Sequence, residues 1–196
     1  MRKLIALAVS LVLACTAACA FAEQTDSFFA QFAGFEWSFC SGVGAWSTDM
    51  EIYEDGSFSG QFHDSEMGDA ADAYPNGTVY YCSFTGRFSP AEQINDYTWK
   101  IRVDELKTAE EPDQEMIDDG FRYISAKPYG ISEGDEMLLH RPGTPVDGFT
   151  DLMQIFAHLL EQETPAETLD TWFLWSDLNE SGFTGILNDS APAGAQ

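Results

Sequence analysis

Between residues 35 and 187 large apolar and polar side chains alternate with a period of two, the spacing of half-buried β-strands. Tyr97, Trp99, Ile101 and Val103 alternate with Thr98, Lys100, Arg102 and Asp104, which sets four large apolar groups on one strand face and four polar ones on the other. Phe35, Trp37 and Phe39 alternate ahead of Ser41-Gly42. Met50 and Ile52 lead into Glu54-Asp55-Gly56-Ser57, and Phe58, Gly60 and Phe62 return, so the Asp-Gly step marks a hairpin. Residues 79–88 are rich in Tyr and Phe, 121–125 and 136–140 read as shorter strands, and 172–175 pairs with 183–187 across Asn179-Glu180-Ser181-Gly182. The pattern predicts eight or nine strands in meander order.

Three segments depart from this period. Phe149, Leu152, Met153, Phe156, Leu159 and Leu160 recur at helical spacing, with Asp151, Gln154, His158 and Glu161 opposite and Asp147 available as a cap, so an amphipathic helix is expected late in the chain. Ser89-Pro90-Ala91-Glu92 has capping-box chemistry with proline at the first helical position, which predicts one helical turn between strands. Thr164-Pro165-Ala166-Glu167 repeats it. A meander of many antiparallel strands must hide its edges, and closure removes them. The expected class is mainly β: an up-and-down antiparallel barrel of eight or nine strands with one late amphipathic helix. An open sandwich with the helix is the alternative.

Architecture and motif together suggest a relation. Trp37 follows Gly34 where the first strand begins, a hairpin carries Asp55-Gly56-Ser57-Phe58, and a helix comes late, so the chain resembles the lipocalin-like barrels. Lipocalins place one residue between that glycine and tryptophan, whereas Phe35 and Glu36 both intervene here. The block Tyr74-Pro75-Asn76-Gly77-Thr78-Val79-Tyr80-Tyr81 is similar to exported bacterial proteins of uncharacterised role, which implies no activity.

Residues 1–22 have the form of a signal peptide: Met1-Arg2-Lys3, an apolar run over 4–13 broken by Ser10, and Ala20-Phe21-Ala22 at the cleavage site. The run is shorter than the roughly 20 residues a spanning helix needs, so no membrane span is expected and the protein is read as secreted. Cys15 and Cys19 each end a lipobox-like tetrapeptide, which makes a lipid anchor at either the alternative. The domain organisation is then a leader (1–22), a single barrel domain (23–189) and a loose tail (190–196).

Nine basic residues stand against thirty-three acidic ones, a net charge of −24. Removing the leader takes two bases and no acid. Such a surface repels nucleic acid, which a protein must meet with a basic patch. Lys100, Arg102 and Lys107 form the local basic cluster, and Asp104 and Glu105 interrupt it. After export Cys40 and Cys82 remain on separate strands in an oxidising compartment, a candidate disulfide.

Candidate chemistry is sparse. His63, His140 and His158 stand in no ligand or triad spacing, and no Gly-x-Ser-x-Gly elbow occurs. Asp64, Glu66, Asp69 and Asp72 lie among small residues before Pro75-Asn76-Gly77 and could offer oxygen ligands to calcium, without EF-hand spacing. No other cofactor is expected. Trp37, Trp46, Tyr81 and Trp99 could line a barrel cavity suited to a small apolar ligand, or simply fill the core. A non-enzymatic carrier is the first expectation. A surface module contacting protein or glycan comes second, and a hydrolase, for which no residues can be named, third.

Overall fold

The protein is described from a computed structural model over residues 28–161 and 165–188. The leader with Cys15 and Cys19, Thr164 and the tail 190–196 lie outside those residues. Chain order gives β1 (Phe35–Cys40), β2 (Trp46–Ile52), β3 (Ser57–Glu66), β4 (Thr78–Phe88), β5 (Glu92–Gln93), β6 (Thr98–Thr108), β7 (Glu115–Asp118), β8 (Phe121–Ser125), β9 (Glu136–His140), α1 (Asp151–Phe156), β10 (Trp172–Ser176) and β11 (Ser181–Leu187). Strands β1, β2, β3, β4, β6, β9, β10 and β11 pair in that order, and β11 returns to β1, closing an eight-stranded antiparallel barrel. This up-and-down closure is compatible with a lipocalin-like fold and excludes the open sandwich.

Alternation fills the interior. Trp37, Met50, Phe58, Phe84, Ile101, Val103, Met137, Leu139, Leu174 and Phe183 are each at most 2 % exposed. Each buried side chain of this size contributes roughly 1.5–3 kcal/mol. Big and small residues interlock: Phe58 faces Gly86 and Gly60 faces Phe84 across the β3–β4 pair, and each phenyl ring occupies the space a Cβ on the facing glycine would need. Phe28, Phe29 and Phe32 plug one end, with Phe32 5.3 Å from Trp37 and 5.0 Å from Trp172 between ring centroids. Loop residues Tyr129, Gly130 and Ile131 cover the other end, where Gly130 abuts Phe39.

β3 and β4 are too long for the barrel wall, and the chain uses the excess. Phe84–Phe88 of β4 pairs with β6, whereas Thr78–Tyr81 pairs in parallel with β8, which in turn carries β7 as the last strand of the sheet. A four-stranded extension therefore stands above the rim. The expected helical turn at residues 89–92 is absent. Ser89 Oγ instead accepts from the Arg102 N–H at 2.9 Å, and Glu92–Gln93 continues as a strand on β6, because the ladder satisfies the backbone there.

The late helix is shorter than its apolar pattern. Thr150, not Asp147, caps α1, its Oγ1 accepting from the Met153 N–H at 3.3 Å. The helix ends at Ala157, and His158 takes a positive φ of 54°. Met153, Ala157 and Leu159 pack with Phe173 and Trp175 on the outside of the barrel, while Leu152, Ile155 and Leu160 stay exposed. This covering buries β10 on both faces, so its pattern is continuous rather than alternating. Pro165 to Leu169 runs without a helix.

Cys40 and Cys82 are free thiols. Two strands separate β1 from β4, and alternation turns Cys40 outward while Cys82 points into the core. Neighbouring strands are about 4.8 Å apart, so the pair lies well beyond the roughly 4.4–6.8 Å Cα separation that a disulfide requires. The expected bridge does not form.

Candidate functional site

Inward alternation continues past the barrel wall onto the extension, and there it creates a row of side chains from four strands. Trp46 of β2 is the cross-strand partner of Asp64 on β3, Asp64 of Tyr80 on β4, and Tyr80 of Ile124 on β8. Tyr129 folds over this row from the covering loop. Its ring lies 4.3 Å from Phe62 and 6.1 Å from Trp46, and its hydroxyl donates to Asp64 Oδ2 at 3.1 Å. Burial first, then the hydrogen bond and charge of Asp64, raise the phenol's pKa above its ordinary value, so Tyr129 stays a protonated donor at neutral pH. The rim thus offers aromatic surface, two phenols and a carboxylate, with Tyr129 44 % exposed.

A second row lies further out. Glu66 pairs with Thr78, and Thr78 with Arg122. Arg122 donates from Nε to Thr78 Oγ1 at 3.0 Å, forms an ion pair with Asp69 and lies 4.7 Å over the Tyr74 ring. Asn76 bonds the β7–β8 turn through the Gly120 carbonyl at 2.9 Å and the Asp119 carbonyl at 3.1 Å. These bonds hold the 67–77 segment down on β8. The rim is consequently a preformed surface rather than a loose loop.

The proposed calcium ligands do not converge. Asp64 is engaged by Tyr129 and Asp69 by Arg122, Glu66 and Asp72 are exposed, and among the described residues no three acidic, histidine or cysteine side chains are arranged to hold a metal. Strand geometry separates them: Asp64 and Glu66 share the inner face of β3, whereas Asp69 and Asp72 lie on the following loop.

The four aromatic candidates also part company. Trp37 is wholly enclosed in the core, and Trp99 packs against Phe28 at 5.4 Å and Trp172 at 5.9 Å. Tyr81 points outward, beside Tyr123 at 6.2 Å. Trp46 alone belongs to the rim. Clefts among the described residues, such as those around Gly34, Phe35 and Tyr53 or around Pro112, Lys127 and Ile131, are lined by none of the four aromatics. Tyr80, Ile124 and Tyr129 escape sequence reasoning because residues so far apart in the chain meet only through cross-strand register or, for Tyr129, through the fold of a covering loop.

On the outer face Ser47 Oγ meets His63 Nδ1 at 3.2 Å, while Asp49 accepts from Ser47 and Ser38, each at 2.6 Å. The carboxylate engages the serine itself and does not orient the imidazole, so the trio lacks triad geometry. No family model, curated protein or solved structure matches this chain.

Proposed function

We propose that this is an exported, non-enzymatic binding module that engages a glycan at the rim formed by Trp46, Asp64, Tyr80 and Tyr129. The observation that carries this reading is the row itself: the rings of Trp46 and Tyr80 flank the Asp64 carboxylate, with Tyr129 bonded to it from above, while large side chains pack the barrel core. Aromatic faces accept the apolar side of a sugar ring, and the polar groups between them orient its hydroxyls. The acidic charge favours neutral or amine-bearing sugars over acidic ones. Export follows from the leader, and acylation at Cys19 or Cys15 would place the same rim at a cell surface.

Titration with cellotriose, chitotriose and a chitosan trimer, followed by tryptophan fluorescence and amide chemical shifts, tests the reading. Saturable binding that weakens at least tenfold in both Trp46→Ala and Tyr129→Ala is expected. A small apolar molecule held by Trp37 and Trp99 is the competing proposal, and it requires the packed core to part. Binding of an apolar fluorescent probe that is insensitive to Tyr129→Ala and lost in Trp99→Ala would favour that proposal over the rim.

A further inference from the structure

β7 is the outermost strand of the extension, and all four of its residues are exposed. It turns into β8 through Asp119 and Gly120, whose φ values of 45° and 78° fit a two-residue hairpin turn of the primed type. Such a turn makes Asp118 and Phe121 a hydrogen-bonded pair. Alternation then directs the N–H and C=O of Glu115 and Ile117 away from β8, toward the open edge. Among the described residues no other strand pairs with β7.

Two features define what fits there. The side chains of Met116 and Ile117 are 54 % and 47 % exposed, and Met116 is the cross-strand partner of Tyr123, which continues an outer aromatic strip of Phe121, Tyr123 and Tyr81. Around this apolar pair, residues 110–119 carry six carboxylates (Glu110, Glu111, Asp113, Glu115, Asp118 and Asp119) and no base. A second copy of the chain would bring six carboxylates against six, so the edge is barred to itself.

We propose that β7 receives an extended segment of a partner protein that alternates Lys or Arg with apolar residues, added as an antiparallel strand. Backbone bonds to Glu115 and Ile117 supply the pairing, an apolar side chain extends the Met116–Tyr123 strip, and the basic side chains meet the flanking acids. This surface is separate from the rim: none of its contacts involves Trp46, Asp64, Tyr80 or Tyr129.

The probe is a blocked hexapeptide of alternating Lys and Val, with the Glu and Val counterpart as control. The expected result is saturable binding of the basic peptide, with amide exchange at Glu115 and Ile117 slowed at least tenfold and Met116 and Asp118 unchanged. Ile117→Pro removes an outward N–H without removing a ladder bond, and should weaken binding at least tenfold. The double variant Glu115→Lys with Asp118→Lys, exposed at both sites, should shift preference toward the acidic peptide. Equal binding to parent and Ile117→Pro, unchanged preference after charge reversal, protection at other residues, no binding by the parent, or self-association through β7 would each overturn the proposal.

Discussion

Acidification should destabilise the protein through one imidazole well before its carboxylates titrate. His140 lies on the outer face of β9, 7 % exposed, with Phe149 at 5.2 Å and Phe173 at 6.3 Å between ring centroids. Its Nδ1 meets Thr98 Oγ1 at 3.2 Å, and its Nε2 is buried without a partner. Burial, only partly opposed by the Asp177 carboxylate, holds its pKa down at about 4 from an ordinary 6.5. The folded state keeps the ring neutral while the unfolded chain takes up a proton, so the unfolded state binds more protons between these two values. Stability therefore falls as pH drops through 6.5 and levels off below about 4. Each unit is worth about 1.4 kcal/mol, so descent from pH 6.5 to 5 removes about 2 kcal/mol and the full window about 3 kcal/mol. That is a large fraction of the roughly 5–15 kcal/mol that stabilises a typical domain. Relief of repulsion among carboxylates acts in the opposite direction, which makes the sign diagnostic. Urea unfolding followed by tryptophan fluorescence at pH 7, 6 and 5 measures the slope. His140→Phe keeps an aromatic ring between Phe149 and Phe173 and should abolish it. Equal slopes in parent and variant, or an NMR-titrated His140 pKa at or above 6.5, would mean that burial does not hold this imidazole neutral.

Three further outcomes are expected. Burial, aided by the Glu110 charge, raises the Cys82 thiol to about 11, so iodoacetamide at neutral pH should label Cys40 well before Cys82, and a non-reducing peptide map should contain no Cys40–Cys82 cross-link. Gly60→Ala and Gly86→Ala should each lower stability by about 1–3 kcal/mol through overpacking against Phe84 and Phe58, whereas exposed Gln61→Ala should stay within about 0.5 kcal/mol; urea midpoints decide it. Bonds from the Ser57 hydroxyl and N–H, then Arg87, lower Asp55 to about 2 from 3.8. Its contribution to the β2–β3 hairpin is then present above pH 3.8 and fades as pH falls through 2, which an acid titration of the Ser57 amide shift should trace and Asp55→Ala should erase.

The period-two pattern alone determined that the chain is a β meander, where most strands lie and which faces they bury. The 121–125 and 136–140 strands coincide with β8 and β9, and the Asp55-Gly56 turn joins β2 to β3. Alternation reports local burial, and each of the eight barrel strands pairs with the next barrel strand in sequence, so closure followed; β8, read as one more strand of the meander, instead left it to pair in parallel with β4. Where burial was not local the pattern misled. Leu152 and Leu160 share helical spacing with Met153 yet remain exposed, because a six-residue helix offers the barrel only one narrow face. Phe28 and Phe32 showed no period and became a plug. The rim was illegible for a related reason: Trp46, Asp64, Tyr80 and Ile124 form one row only because a ten-residue and an eleven-residue strand overrun the barrel and β8 joins in parallel. Cys40 and Cys82 looked like a pair from compartment and count. Register decided otherwise, since side chains on opposite faces of a sheet cannot meet, and register is a property of the whole closed sheet rather than of any one strand.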